Sequence, residues 1–227
     1  MIILSFIFGV LIGNYATTLL FRIPLGIEIC GINKNVNTPP HCSTCSHSLK
    51  FYEYLPVLSW VFSRFKCNYC GVKINPQYFF LEFSTAIASM IIYSLIGLSE
   101  IYILLVILWV STTLSGLIQL NSGKIYRELT FATISLGMVY RTLLDGSILP
   151  FITDIAISSI CLSFVMKTSK FQIKELIHLI LQSSVFGLVQ VSFVLITYII
   201  SHKFFGKKSY LYSLTTLSCV TILRNIF

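Results

Sequence analysis

Four cysteines in this chain are spaced for metal chemistry: Cys42 and Cys45 in CSTC, and Cys67 and Cys70 in CNYC. Two residues between thiols let each pair grip one ion from a tight turn, and four thiolates complete a tetrahedral structural zinc site. Residues 46–66 separate the pairs, slightly beyond the usual zinc-ribbon spacing but within what a hairpin loop can close. Gly71, directly after the second pair, can take the positive φ that such a turn often requires. The competing readings are two disulfides, a redox dithiol, or unrelated thiols. Disulfides rarely persist in a reducing compartment, and the charge pattern described below places this loop in one. His41 and His47 flank the first pair and could replace a thiolate, although solvated loop residues are the plainer reading. Cys30, Cys161 and Cys219 lack partner spacing and read as small buried hydrophobes.

The rest of the chain is membrane in character. Of its 227 residues 56% are hydrophobic and only 11% charged, too apolar a balance for a soluble globule of that length. Judged against the roughly 20 residues that cross a bilayer, the apolar runs predict helices at 2–21, 78–97, 101–119, 129–143, 148–166, 176–201 and 210–223. The expected fold is therefore all-α, a polytopic helix bundle of about seven spans. Its first run lacks the positive n-region and cleavage site of a signal peptide and is expected to be retained. The net charge of +8 fits basic loops facing the cytoplasm and argues against nucleic-acid binding. Arg22, Lys34, Lys50, Arg64, Lys66 and Lys73 place the loop at 22–77 inside, and alternation brings Lys124, Arg127, Lys167, Lys170 and Lys174 to the same side. Lys203, Lys207 and Lys208 break the pattern, which points to a miscounted span near them. Within the loop, Phe51, Tyr52, Tyr54, Leu58, Trp60 and Phe62 give the knuckle an apolar side that can rest on the membrane or contact a substrate, with the membrane favoured. Lys50, Arg64 and Lys66 beside it suit acidic lipid headgroups.

An ordered set of local matches then resembles the type IV prepilin leader peptidases, membrane enzymes that cut and N-methylate pilins and pseudopilins. GNYATTLLFRIP (13–24) is similar to the family's first-helix exit. CSTC, YLPVLSWVF and CNYC follow its cysteine loop, and INPQYFFLEFSTA (74–86), with Pro76, Tyr78, Glu82 and Thr85, looks like its entry into the second helix. The resemblance implies a first transmembrane helix at 1–21, a cytoplasmic zinc-binding loop at 22–77 with similarity reaching about 86, and a peptidase-like helix bundle at 78–227. It also implies the bacterial inner membrane, prepilin or pseudopilin partners beside membrane lipid, and S-adenosylmethionine as methyl donor, for which no residue of the sequence independently speaks.

The same resemblance exposes a loss. Family members hydrolyse the leader with two aspartates that share a proton, one activating water while the other protonates the departing group. In LSGLIQLNSGKIYRELT (114–130) Gln119 stands where the first aspartate is expected, and Tyr126-Arg127 replaces a Pro-Asp pair. In SKFQIK (169–174), the best placement of the second site, Gln172 takes the aspartate's place and Lys174 is kept. Glutamine can hydrogen-bond but cannot exchange a proton as a carboxyl does. Glu128 and Glu175 form the one remaining candidate dyad, though they read more simply as interfacial charges at helix starts. Asp145 reads as a turn residue, Asp154 as a helix-start carboxylate, and His178 as a neutral interfacial side chain. Three expectations stand: a proteolytically dead relative that binds a pilin-like partner, which mechanism favours; an active endopeptidase using displaced carboxylates; and a degraded product without function.

Overall fold

The structure is a computed structural model that describes residues 1–27 and 41–157 except 54, 125, 148, 151 and 155. The expected spans at 176–201 and 210–223, most of that at 148–166, and Gln172, Glu175 and His178 lie outside the described residues. Among the described residues there are five α-helices: α1 (Ile2–Leu25), the short α2 (Leu58–Ser63), α3 (Gln77–Ile96), α4 (Glu100–Ser122) and α5 (Arg127–Asp145). The cysteine loop between α1 and α3 adds one 3-10 turn at Phe51–Glu53. Among the described residues there are no strands, only two isolated bridges, His41 with Ser48 and Lys66 with Lys73. Three of the described helices, α1, α3 and α4, are long and apolar enough to cross a membrane. α5 coincides with the expected fourth run but carries Arg127, Glu128, Arg141 and Asp145, and by composition it does not join them.

Local chemistry sets the helix ends. α1 runs one turn beyond the expected boundary, through Arg22 and Pro24, and stops where Gly26 turns to φ 65°. There the Gly26 and Ile27 N–H groups donate to the Ile23 and Arg22 carbonyls, both at 3.1 Å, satisfying groups that the helix end would leave bare. α3 is opened by Asn75, whose side-chain oxygen accepts from the Gln77 N–H at 3.0 Å, and α4 by Ser99, which accepts from the Tyr102 N–H at 3.2 Å.

The chain divides into two compact units, Met1–Ile91 and Ile92–Phe227. In the first, α1 and α3 cross closely where α1 presents small residues to α3; Leu20, further along, is buried as well. Ser5, Gly9, Gly13 and Ala16 are buried on one face. A Cβ at Gly9 would stand 2.6 Å from the Ser89 Cβ and 2.7 Å from the Ala86 Cα; one at Gly13 would stand 2.7 Å from the Glu82 Cα. The Ser89 hydroxyl donates across the crossing to the Ser5 carbonyl at 2.6 Å. In membranes, where hydrocarbon offers no hydrophobic drive between helices, such small-residue contact carries association.

In the second unit α4 packs on α5. The hydroxyls of Thr112, Thr113 and Ser115 on α4, all buried, donate to carbonyls one turn back at 2.9, 2.8 and 2.7 Å, so these buried polar groups are satisfied within the helix.

The close crossing makes a prediction about stability. Gly13→Ala is expected to destabilise the first unit by about 1–3 kcal/mol through overpacking, whereas Ile7→Ala on the exposed face of α1 should change it by no more than about 0.5 kcal/mol. Thermal unfolding in detergent micelles, with both variants beside the parent, checks the difference.

Candidate metal centre and adjoining cavity

Each cysteine pair sits in the same turn. After Cys42 the Ser46 N–H returns to the Cys42 carbonyl at 2.9 Å, and the Cys42 N–H donates to the His47 carbonyl at 3.0 Å. After Cys67 the Gly71 N–H returns to the Cys67 carbonyl and the Cys67 N–H donates to the Val72 carbonyl, both at 2.9 Å. Both turns need a residue at positive φ: Gly71 supplies it at 70° and Ser46 at 56°. Glycine does so without steric cost and serine with some. Gly71 was legible from the sequence for this reason, and Ser46 was not.

The turns bring all four Sγ atoms within 4.8 Å of one another, with Cys42 and Cys67 buried and Cys45 and Cys70 exposed. The Cys42 and Cys70 sulfurs are 3.9 Å apart, about twice a disulfide bond length and close to the edge of a tetrahedron with Zn–S bonds of about 2.3 Å. The quartet is compatible with one structural zinc. The flanking histidines are used otherwise: His47 stacks on Tyr69 across the two turns with ring centroids 3.3 Å apart, and His41 meets the Phe21 ring edge-on at 6.0 Å.

Without metal, protons are unequally held within the quartet. The Cys45 backbone N–H, helped by that of Thr44 and by the Cys45 and Cys67 thiols, outweighs burial and lowers the Cys42 thiol to about 6. At Cys45 the His47 N–H favours the thiolate, but partial loss of hydration beside the other sulfurs and hydrogen bonding with the Cys42, Cys70 and Cys67 thiols outweigh it and raise that thiol to about 11. The quartet thus favours the thiolate at Cys42 over that at Cys45, and metal entry must displace the remaining thiol protons. Glu53 ties the two turns together, its carboxylate accepting from the Lys50 N–H and the Asn68 amide, each at 2.9 Å. The Lys50 N–H, with Asn68, holds the Glu53 carboxyl below its ordinary range against the opposing effect of burial.

A second carboxylate fastens the loop to the helices. Glu82 on α3 is only 3% exposed, and one of its oxygens accepts from the Val57 N–H at 2.8 Å and the Trp60 indole N–H at 3.0 Å. Its other oxygen lies 3.5 Å from the Thr17 hydroxyl on α1, whose shorter bond runs to the Asn14 carbonyl at 2.7 Å. Val57 reaches Glu82 through a strained turn with φ 61° and ψ −48°, closed by the Leu58 N–H on the Pro56 carbonyl at 2.6 Å. Between the loop and these helix ends lies a cavity of about 420 Å³, walled by Thr17, Phe21, Arg22, Trp60, Tyr78 and Glu82 among others. That volume and its mix of aromatic walls with a few charged groups suit a small polar molecule.

Gln119 is buried at the end of α4, with Gly123 closing the helix just beyond it. Glu128 stands exposed in the first turn of α5, so it does not share the buried setting of Gln119. Asp145 and Asp154 have a role that sequence reasoning missed. Both pair with Nη2 of Arg141, at 3.0 and 3.2 Å, and Arg141 is 4% exposed. A turn residue and a helix-start carboxylate are thereby joined on one buried guanidinium, Asp154 buried with it and Asp145 reaching it from the exposed side, because a guanidinium taken out of water needs opposite charge. The glycine pair Gly9-x-x-x-Gly13 was a readable signal for the α1–α3 crossing; for Glu82 as the loop's fastening the signal was a lone carboxylate in an apolar run.

The chain matches known proteins through this first unit. Residues 7–96 match the family model of the bacterial peptidase A24 N-terminal domain. Among curated relatives, the chain is 33% identical over 82 residues to the prepilin leader peptidase/N-methyltransferase of Myxococcus xanthus, covering 36% of this chain and 23% of that protein. It is 34% identical over 86 residues to the protein of the same name from Bacillus subtilis, covering 38% and 32%. With that from Pseudomonas putida it shares 27% over 131 residues, covering 50% and 46%. The chain thus spans less than half the length of each of these relatives. No solved structure matches it.

Replacing Cys67 by Ser should lower the zinc content of the purified protein from about one ion per chain to a small fraction of that, since one missing thiolate opens the tetrahedron. Elemental analysis of wild type and variant measures this, and equal zinc in both would contradict the four-thiolate site.

Proposed function

From a chain that belongs to the prepilin leader peptidase/N-methyltransferase family, whose A24 N-terminal domain it carries over residues 7–96, we propose a membrane protein of type IV pilus or type II secretion systems that engages prepilin-like substrates without aspartate proteolysis. Its zinc-stapled loop at 22–77 faces the cytoplasm from the bacterial inner membrane, and residues 78–227 form a degenerate peptidase-like bundle. The observation that carries this reading is Gln119: it is buried at the end of α4 where the resemblance expects a catalytic aspartate. An amide there can orient a peptide by hydrogen bonding but cannot take water's proton. Loss of one member of a carboxylate pair that works as a unit removes orders of magnitude in rate, and Gln172 stands at the second position. Exposure of Glu128 in the first turn of α5 speaks against its replacing the missing group, since a displaced carboxylate does not reach the same reacting atoms.

A second reading is supported by the cavity. Methyl transfer needs no aspartate pair, and the cavity beside Glu82 has room for a small cofactor. A buried carboxylate with aromatic neighbours favours a cationic ligand. On this reading S-adenosylmethionine, with its sulfonium charge, occupies the space among Tyr78, Trp60 and Glu82, and the chain keeps the methyl-transfer half of the family's chemistry.

Co-expression with a prepilin-like substrate tests the first reading. No leader removal and capture of the uncleaved substrate are expected; cleavage abolished by Glu128→Gln or Glu175→Gln would overturn it in favour of displaced carboxylates. For the second, titration of the detergent-solubilised protein with S-adenosylmethionine should show saturable binding weakened about tenfold by Tyr78→Ala, at unchanged zinc content, and absence of binding by the parent would remove it.

A further inference from the structure

Leu58 and Phe62 stand four residues apart on α2 and share one face, where they are 54% and 78% exposed. The opposite face is occupied: Ser59 and Trp60 are buried, and the Trp60 ring lies 6.3 Å from that of Tyr78 and 6.5 Å from that of Phe79. The height at which the exposed face stands follows from Glu82. That residue lies in the second turn of α3, about 8 Å from its start at 1.5 Å per residue, and it holds the backbone of Val57 and the indole of Trp60. α3 has 20 residues, a length of about 30 Å that the hydrocarbon layer alone takes up. α2 therefore lies beside the opening turns of a span and at the headgroup boundary, rather than out in water.

The surroundings at that height agree. Phe80 and Phe83 on α3 are exposed, and Phe79 links them to the loop, with ring centroids 5.8 Å from Phe80, 5.6 Å from Phe83 and 5.5 Å from Phe65. Exposed rings of the loop and of α3 thus form one aromatic band of the kind found at membrane interfaces. Arg64 and Lys66 follow α2 directly and are exposed, as is Lys50. Residues 54–81 contain no Asp or Glu, so no acidic group in that stretch neutralises Arg64 and Lys66, whereas Lys50 has Glu53 beside it.

We infer that the outer face of α2 is an interfacial anchor for anionic phospholipid. Leu58 and Phe62 sink into the headgroup–acyl boundary of the leaflet on the loop side, and Arg64 and Lys66 take the phosphates. The anchor holds the metal-bearing loop down on the membrane from the side opposite Glu82.

The test uses the full chain in nanodiscs. Phe62→Trp adds one indole to the two present in the parent, and the added emission is read by difference. Lipid brominated near the headgroup should quench that emission by roughly half while aqueous iodide leaves it almost unchanged, the pattern of a side chain at the acyl boundary. Replacing anionic lipid by phosphatidylcholine should weaken the bromine quenching; equal quenching in both would overturn the assignment to anionic lipid. Emission reached by iodide and untouched by bromine would overturn the anchor. Emission shielded from both would also overturn it, showing the face covered by protein instead. Zinc content equal to that of the parent certifies the fold, and Leu58→Trp provides the same measurement should Phe62→Trp fail to accumulate.

Discussion

A carboxylate carried into the end of a membrane helix must find hydrogen-bond donors, because an unmatched charge taken out of water costs several kcal/mol. Glu82 finds them in the Val57 N–H and the Trp60 indole, and much of the first unit depends on that bond pair. It accounts for the strained backbone at Val57: a β-branched residue at φ 61° costs about 1–3 kcal/mol, and the turn is kept because it aims an N–H at the buried oxygen. It also fixes Trp60, whose ring then organises Phe65, Tyr78 and Phe79 around it. The loop leaves α1 and returns to α3, so fastening its middle to α3 closes one wall of the cavity between them.

Two devices of different chemistry cooperate in that unit. The cysteine turns and Glu53 give the loop its internal shape, and Glu82 sets where that shape sits on the helices. The α1–α3 crossing supplies the foundation, since only glycine at 9 and 13 lets the backbones approach closely enough for Thr17 and Glu82 to line the same space. The proposed roles follow this division: substrate engagement and methyl-donor binding need the shaped loop and cavity, while proteolysis needs carboxylates at the end of α4 and beyond, where Gln119 stands.

The second unit shows a different economy of charge. Buried Arg141 pairs with both Asp145 and Asp154, which places the two carboxylates between Glu128 and Glu175 in a structural role. A guanidinium shared by both holds them as its counter-ions, an arrangement suited to tying α5 to the chain that follows.

By itself the sequence determined what depends on local pattern. Uninterrupted apolar runs predict α1, α3 and α4 because a helix must satisfy its own backbone in lipid, and the Cys-x-x-Cys spacing predicts a four-sulfur cluster because a tight turn presents both thiols to one point. Gln119, an amide where the resemblance expects a carboxyl, is likewise a reading of residue type alone. Only the tertiary structure decided what depends on contact between distant residues. Glu82 as the fastening for Val57 and Trp60, Ser46 as the counterpart of Gly71, and Asp145 with Asp154 on one arginine are pairings across separate segments. No periodicity records them, because side-chain type states what a group can bond to, and packing alone states which partner stands within 3 Å.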